Sequence, residues 1–369
     1  MGVTKVEREP RRVLVVSPTW VGDAVMATPT FRAIRQLYPQ AQITALVKES
    51  VRPVLEPCPW IDRYVTIRRP RPDRRHDARR KGPVPLARRL ASRRFDLAVL
   101  LPNSFRTALL VRMAGVPQRV GYERDGRGFL LTDRLIPRRA AGKFIPVPTR
   151  DYYLGLARYL GAGDLDPAMQ LFTRPADEAA ADDLLRRACY DGQRPLVLLN
   201  PGANYGDAKM WFADRFAAVA DRCARELGAA VAVTGAPKEQ AILREVTAAT
   251  TQPVMDLSRH GLTLGTLKAI VRRARVMVTN DTGPRHIAAA LGVPVVTIFG
   301  PTDPAWTEIG FEHERAVREA VYCSPCQKKR CPLRGTAEEL QCMRRVKVEQ
   351  VFEQVQALWP ARAAAGVPA

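Results

Sequence analysis

The chain has 369 residues, of which 46% are hydrophobic and 26% charged. This composition excludes a disordered chain, and the length exceeds what one hydrophobic core usually organises, so two domains are expected. The formal net charge of +21 points to an acidic partner: nucleic acid, anionic lipid or an acidic substrate.

The sequence also limits where the protein works. Its first fifteen residues contain acids and no apolar segment before Val13, so we predict no secretory signal. No run of about 18 apolar residues occurs, and we therefore expect no membrane-spanning helix. Seven cysteines, an odd number, favour a reducing compartment over a disulfide framework.

Strands and helices alternate in the first half of the chain. The β-branched run Arg12–Ser17 predicts a strand, and one helix is expected to follow it as far as Tyr38, where Pro39 prevents continuation. Ala41–Val47 and Phe95–Leu101 predict two further strands. This alternation is typical of a parallel, doubly wound sheet.

A basic insert separates those last two strands. Residues 68–94 contain twelve Lys or Arg side chains against only Asp73 and Asp77, which makes up +10 of the net charge of +21. The insert is either a solvated loop or a surface that grips anionic groups such as lipid headgroups.

The same alternation restarts near residue 195. Strands are predicted at Pro195–Asn200, Ala229–Thr234, Val276–Thr279 and Val293–Phe299, with helices at Trp211–Leu227, Leu267–Arg275 and Thr282–Leu291. The Gly- and Pro-bearing segment Leu160–Glu178 indicates a linker. We therefore predict an α/β protein with Rossmann-like domains over residues 1–175 and 176–369, and a C-terminal helix that packs back on the first domain.

Polar loops follow the strands in both domains. In open α/β sheets, ligands bind outside the carboxyl ends of the strands. The sequence therefore predicts a ligand site in a cleft between the two domains, lined by four loops: Pro18–Asp23, Pro201–Lys209, Gly235–Glu239 and Asn280–His286.

The loop Asn280–His286 has the pattern of an anion site. It joins a strand to a helix, whose N-terminus offers free N–H groups, and Gly283 permits close approach of a phosphate. The alternative is simple capping by Asp281 or Thr282, which leaves His286 unexplained. We favour diphosphate binding.

Two charged residues in the other loops have alternative interpretations. Lys209 follows a Gly-bearing turn and could meet a phosphate, although, taken alone, a solvated loop lysine is the favoured explanation. Asp23 could take a proton from an acceptor hydroxyl or could cap the next helix. No strand is followed by G-x-G-x-x-G, an isolated D-x-D or G-x-S-x-G, which disfavours dinucleotide oxidoreductases, metal-clamped sugar transferases and α/β-hydrolases.

Taken together, these segments resemble the ADP-heptose:lipopolysaccharide heptosyltransferases (glycosyltransferase family 9, fold GT-B), most closely heptosyltransferase II. The resemblance covers most of residues 12–358 and is carried by SPTWVGDAVM (17–26), LPNSFRTALLVRMAG (101–115), NPGANYGDAKMW (200–211), NDTGPRHIAAALG (280–292) and FGPTDP (299–304). It implies two Rossmann-like domains facing across a cleft and an inverting transfer of heptose from ADP-heptose. No cofactor is required, and a divalent metal is possible but not implied.

The resemblance also assigns roles on the donor side. It implies that Asp23 is the catalytic base. The diphosphate would be bound by Lys209 and by the loop residues Asp281, Thr282, Gly283 and His286. Glu239 matches a ribose-binding carboxylate, Leu262 would lie against adenine, and Asn204 with Tyr205 replaces the family's small hydroxyl donors.

On the acceptor side, the resemblance implies Kdo-lipid A or heptosylated lipopolysaccharide, an acidic molecule at a membrane surface. Candidate contacts are Trp20, Asn103, Arg106, Arg124 and Lys143. The protein would then be cytoplasmic, and peripheral on the inner face of the inner membrane. The alternatives are a GT-B enzyme of another surface-glycan pathway and a nucleic-acid-binding protein. The latter is disfavoured because the insert lacks interleaved aromatic residues.

Four late cysteines form a separate cluster: Cys323, Cys326, Cys331 and Cys342. Their number suggests zinc, but their spacing is irregular for a zinc module. We therefore expect no metal, with a zinc site as the alternative.

Overall fold

The computed structural model describes residues 9–67 and 82–360. The chain divides into two compact units between Gln170 and Leu171, five residues before the boundary expected from sequence. The described part contains no helix long and apolar enough to cross a membrane.

The N-terminal unit is built on a six-stranded sheet in the order β3-β2-β1-β4-β5-β6, with every neighbouring pair parallel. Residues 13–16 of the central strand are fully buried, as expected where helices cover both faces of a parallel sheet. The strands are Arg12–Val16 (β1), Gln42–Lys48 (β2), Arg63–Ile67 (β3), Leu97–Leu100 (β4), Gln118–Tyr122 (β5) and Asp133–Leu135 (β6).

A small antiparallel hairpin follows this sheet, formed by Arg139–Ala140 (β7) and Lys143–Phe144 (β8). The helices described in this unit are Val21–Met26 (α1), Thr28–Leu37 (α2), Arg52–Leu55 (α3), Pro83–Ala91 (α4), Phe105–Met113 (α5) and Thr149–Tyr159 (α6).

The single helix expected after β1 is in fact two helices. Pro29 lies in the first turn of α2, where its missing N–H costs nothing, whereas within one continuous helix its ring would clash with the preceding turn. The Thr28 hydroxyl instead donates to the Val25 carbonyl at 2.8 Å. The chain therefore breaks at Ala27.

The basic insert is not a loop throughout. Residues 68–81 lie outside the described residues, but α4 falls within the insert and buries Ala87 and Leu90 in the hydrophobic core of the unit. Gly82 and Pro83 supply the helix start. The described part of the insert, residues 82–94, is thus part of the fold.

The C-terminal unit repeats the same plan. Its six parallel strands have the order β11-β10-β9-β12-β13-β14, which corresponds strand for strand to the first sheet. The strands are Leu196–Asn200 (β9), Ala230–Val233 (β10), Val254–Asp256 (β11), Ala274–Asn280 (β12), Val295–Ile298 (β13) and Glu314–Val317 (β14). Two doubly wound sheets of this order confirm the predicted fold class.

The helices of the C-terminal unit are Pro175–Arg187 (α7), Ala213–Leu227 (α8), Gln240–Ala249 (α9), Leu264–Arg273 (α10), Gly283–Ala290 (α11), Gln341–Arg344 (α12) and Val348–Leu358 (α13). The last of these buries Val351, Phe352 and Val355 in the core of this unit, against α8 and β13. The apolar face of this helix therefore belongs to the core of the C-terminal unit. That the C-terminal helix also packs back on the N-terminal domain stays a prediction.

Candidate active site

The C-terminal unit has a switch point between β9 and β12, the neighbouring central strands from which the chain departs in opposite directions. A ligand crevice is expected beyond the carboxyl ends of such strands. Asn280, at the end of β12, organises it: its Nδ2 donates to the Pro201 carbonyl at 2.8 Å and its Oδ1 accepts from the Trp211 N–H at 3.1 Å. One buried amide therefore holds both ends of the 201–211 loop.

Lys209, within that loop, forms a buried ion pair with Asp281. Its Nζ lies 2.7 Å from Asp281 Oδ2 and donates to the Asp281 carbonyl at 2.9 Å. The two side chains are only 11% and 3% exposed. The structure thus brings together two residues predicted from separate loops, and Lys209 is not a solvated loop lysine.

Asp281 is the centre of a larger buried network. Its carboxylate also accepts from Thr302 Oγ1 at 2.8 Å and from Arg285 Nη1 at 3.1 Å. Burial by itself would raise the pKa of Asp281, but Lys209 and Arg285 outweigh that effect and lower it to about 2. Asp281 is therefore ionised, and it serves the network instead of capping a helix.

Arg285 links this network to the edge of the sheet. Its Nε and Nη2 donate to the two carboxylate oxygens of Glu314, on β14, at 2.5 and 3.0 Å. Burial opposes the charge of the guanidinium, but Glu314 and Asp281 raise its pKa overall. Lys209 and Arg285 carry two positive charges, which balance the carboxylates of Asp281 and Glu314. A phosphate that binds here therefore adds negative charge to a neutral cluster.

His286 occupies the first turn of α11 and is only 3% exposed. Burial, followed by the neighbouring Arg285, lowers the pKa of His286 to about 3, so the imidazole is neutral. Its Nδ1 has no hydrogen-bond partner among the described residues. A buried polar atom without a hydrogen-bond partner is uncommon in folded proteins and needs a structural or functional reason.

The N-terminus of α11 lies beside this network. Thr282 is the N-cap, but its side chain makes no capping hydrogen bond, and Pro284 fills the first turn. The backbone N–H groups of Thr282 and Gly283 donate to no acceptor within residues 9–67 and 82–360. Free N–H groups at the positive end of a helix are suited to bind an anion.

Glu239 approaches the same crevice from the loop after β10. One of its carboxylate oxygens accepts from the Ala236 N–H at 2.7 Å, and the group packs so closely on Gly202 that a Cβ there would lie 2.3 Å from the carboxyl carbon. Asn204, on the neighbouring loop, accepts a hydrogen bond from Lys238. Leu262 is half-buried and precedes Thr263, the N-cap of α10.

Tyr205 contacts Lys209 from the other side. The Lys209 Nζ lies 4.9 Å from the centre of the tyrosine ring, and the tyrosine hydroxyl donates to the Gln327 carbonyl at 3.2 Å. Ala208 N–H donates to the Lys329 carbonyl at 3.2 Å. The 201–211 loop therefore rests on the cysteine-rich segment 323–331.

The cysteine cluster consists of free thiols in this structure, and the zinc alternative stays a prediction. No group of three or more His, Cys, Asp or Glu side chains in the described ranges is placed to hold a metal. Cys331 Sγ instead accepts from the Leu340 N–H at 3.3 Å. Burial, and then the three other cysteines of the cluster, raise the pKa of the Cys342 thiol to about 11.

The N-terminal unit has an equivalent switch point between β1 and β4. Asp23 is the third residue of α1, and Trp20, half exposed, is the N-cap. The capping alternative for Asp23 is therefore wrong. Burial, and then the nearby Asp23 carboxylate, raise the pKa of Tyr153 well above its ordinary value. This places Asp23 near α6, at the carboxyl end of the sheet.

Asn103, after β4, is held by two groups that sequence reasoning missed. Its Oδ1 accepts from Arg127 Nη2 at 3.3 Å and from the Tyr152 hydroxyl at 3.1 Å. Arg127 is fully buried and also donates to the Tyr122 and Pro102 carbonyls. Burial lowers the pKa of Arg127 to about 10, so it remains charged. None of these three acceptors is a carboxylate.

The other acceptor-side candidates are more dispersed. Arg124 lies 4.0 Å from the centre of the Phe144 ring, and its buried Nε has no partner among the described residues. Arg106 is exposed in the first turn of α5, and Lys143 is exposed on the hairpin strand β8. The structure thus gathers Asn103 and Arg127 but does not place Lys143 in their cluster of hydrogen bonds.

Two Rossmann-like, doubly wound sheets in succession are the architecture of the GT-B class. The chain is similar to the solved structure of Escherichia coli ADP-heptose LPS heptosyltransferase II, with a TM-score of 0.77 and 26% identity over 96% of this chain and 100% of that one. A family 9 glycosyltransferase structure from Veillonella parvula has a TM-score of 0.80 at 23% identity, covering 95% and 97% of the two chains, and supports the fold.

Sequence comparison identifies the family within that class. The family described as Glycosyltransferase family 9 (heptosyltransferase) matches residues 84–337. Lipopolysaccharide heptosyltransferase 2 of Escherichia coli K12 is 30% identical over 315 residues, which cover 83% of this chain and 88% of that protein. The chain belongs to glycosyltransferase family 9, the heptosyltransferases.

Proposed function

We propose that this heptosyltransferase moves L-glycero-D-manno-heptose from ADP-heptose to the inner core of lipopolysaccharide, where it adds the second heptose with inversion. The names of the relatives, lipopolysaccharide or lipooligosaccharide heptosyltransferase 2, support this choice. The acceptor would be the first heptose on Kdo-lipid A.

The observation that carries the proposal is the Lys209–Asp281 pair beside the N-terminus of α11. In an inverting transfer the acceptor hydroxyl attacks the anomeric carbon while the bond to ADP breaks, and negative charge builds on the departing diphosphate. Lys209 and the N–H groups of Thr282 and Gly283 are positive groups held in place before the reaction. They would stabilise that charge without reorganising.

The attacking hydroxyl must lose its proton in the same step. Asp23 is proposed to accept it as the general base. Glu239 is proposed to bind the donor ribose, Leu262 to pack on adenine, and Asn204 with Tyr205 to complete the donor contacts.

The acceptor carries carboxylates and phosphates, so its site should be basic. Arg127 supports this assignment, because its buried charge has no hydrogen-bonded carboxylate and it positions Asn103. Trp20, Arg106, Arg124 and Lys143 are proposed as further contacts. Because such an acceptor is anchored in lipid, we place the enzyme in the cytoplasm, on the inner face of the inner membrane.

A donor screen tests this function. The purified protein is incubated with labelled ADP-heptose or labelled UDP-sugars and with lipopolysaccharide from strains that lack the first or the second heptose. We expect label only from ADP-heptose, and only on the acceptor that already carries the first heptose. Transfer to the acceptor without heptose, tighter calorimetric binding of UDP than of ADP, or transfer only to another surface glycan would each contradict the proposal.

A further inference from the structure

Helix α5 presents an apolar stripe to solvent. Phe105, Leu109 and Met113 are spaced four residues apart, so they share one face, and they are 39%, 39% and 46% exposed. Phe129 extends the stripe: it is 67% exposed, and its ring centre lies 6.0 Å from that of Phe105. We call these four residues the α5 stripe. Contiguous exposed apolar side chains of this size usually mark an interaction surface.

Four exposed arginines lie on α5 and on the helix α4 beside it. Arg106 and Arg112 are exposed on α5, and Arg88 and Arg89 are exposed on α4, which packs against α5. Arg112 also donates to the Phe129 carbonyl at 3.5 Å, which joins the charged and apolar parts. The two helices together contain four arginines and no acidic residue. The surface is therefore both apolar and strongly positive.

We infer that the α5 stripe and these arginines dock on an anionic lipid bilayer. Apolar side chains would enter the boundary between headgroups and acyl chains, while the arginines, whose long stems let their charges reach outward, would contact lipid phosphates. The inference deepens the proposed function, on which it rests. Helix α5 begins two residues after Asn103, so docking here would present the acceptor site to a lipid-anchored acceptor.

Vesicle cosedimentation tests this surface with the full chain and without any sugar donor. The probes are phosphatidylcholine vesicles with and without phosphatidylglycerol. The variant Met113→Ser/Phe129→Ser removes two exposed apolar groups, and Arg88→Gln/Arg112→Gln removes two charges. We expect the first to weaken binding to anionic vesicles about tenfold or more, and the second about twenty-five-fold, at roughly a factor of five per arginine.

Matched controls come from the C-terminal unit, where Tyr322 is 73% exposed and Arg318 is exposed. Tyr322→Ser and Arg318→Gln should bind vesicles like the wild type, and thermal midpoints check that every variant is folded. Vesicle binding by folded variants equal to that of the wild type would overturn the inference. So would a concentration-dependent dimer in sedimentation that Met113→Ser/Phe129→Ser abolishes, because a second copy would then cover the stripe.

A second measurement separates this inference from the proposed function. Heptose transfer is followed on the deacylated, water-soluble acceptor, which needs no membrane. Both double variants should retain transfer to it. If the wild type transfers no heptose while its vesicle binding still depends on the stripe, the proposed function fails and the docking surface stands. If transfer is normal and vesicle binding does not depend on the stripe, the docking surface fails and the proposed function stands.

Discussion

The Lys209 ammonium and the Asp281 carboxylate lie 2.7 Å apart in a buried network, although 72 residues separate them in sequence. Lys209 thereby fixes the 201–211 loop against the end of β12. A residue proposed to bind the donor diphosphate is thus also a structural partner of a buried charge. Removing it should affect stability and binding together.

A double-mutant cycle separates the two effects of Lys209. Lys209→Met leaves a buried carboxylate, which keeps Thr302 and Arg285, so we expect a loss of about 3 kcal/mol in unfolding free energy. Asp281→Asn in the same chain should restore much of that stability but not ADP affinity. The lost charge-assisted contact should cost about 1.5–3 kcal/mol of ADP binding in both variants.

Urea unfolding and calorimetric titration with ADP provide the two readouts. If the double variant binds ADP as tightly as the wild type, Lys209 has only the structural role.

His286 should make folding sensitive to pH. The pKa of the imidazole is about 3 in the folded protein, against an ordinary value of 6.5. Between pH 3 and pH 6.5 the imidazole is therefore protonated in the unfolded chain but neutral in the folded one. Stability is then complete above about pH 6.5 and is lost as pH falls toward 3. Between pH 7 and pH 4 this amounts to roughly 3 kcal/mol, which His286→Gln should remove.

The measurement is the urea midpoint of both proteins at pH 7 and pH 4. Asp281 does not interfere, because its depressed pKa gives stability that is present above about pH 4 and is lost only toward pH 2. Equal losses in wild type and variant would show that His286 is not the group responsible.

Substitution of Gly202 and substitution of Glu239 should weaken donor binding to a similar extent. Glu239→Gln removes the carboxylate proposed to hold ribose, whereas Gly202→Ala introduces a Cβ that would overlap that carboxylate and displace it. Each change should weaken ADP binding by about 1–2 kcal/mol, as expected for one lost hydrogen bond to a charged group. Calorimetry with ADP checks this. Tight binding by Gly202→Ala would mean that the observed Glu239 position is not the one used.

Asp23→Asn should abolish transfer while sparing ADP binding. The amide keeps the size of the side chain but does not accept the acceptor's proton, and a positioned base contributes about 10²–10⁴-fold to turnover. Since Asp23 lies in the first turn of α1, losing its charge should cost only about 0.3–1 kcal/mol of stability. Turnover is measured at saturating donor, alongside the ADP dissociation constant. Near-normal turnover would require a different base.

The sequence predicted the central strands of both sheets because parallel strands buried on both faces read as continuous apolar runs, as in Val13–Val16. It also selected Lys209 and Asp281, whose loops are marked by Gly and Pro. It did not predict that they bind each other, since pairing across 72 residues depends on strand order, which periodicity does not encode. The break at Ala27 was missed although Pro29 was visible, because proline is also tolerated in the first turn of a new helix.

Arg127 and Arg285 were missed for a related reason. In a chain with 58 Lys and Arg side chains, nothing local distinguishes the few arginines that are buried. The available signal for Arg285 was its position between Pro284 and His286, in a loop already predicted to bind an anion. For Arg127 the flanking glycines, Gly126 and Gly128, were the only hint of a tight turn. The basic insert gave the opposite error. Its many charged residues led to the prediction of a loop or a binding surface, and the helix α4 was not predicted.

The contact at Gly206 has a consequence for how the protein moves. A Cβ at this position would lie 2.2 Å from the Lys329 carbonyl oxygen, so the two loops fit together only while residue 206 has no side chain. Local opening of the 323–331 segment must then loosen the loop that holds Lys209, and ordering of that loop must protect the segment in return. Amide hydrogen exchange in 323–331 should therefore slow when nucleotide binds, although no residue of that segment is assigned to the nucleotide. The two loops form one cooperative unit.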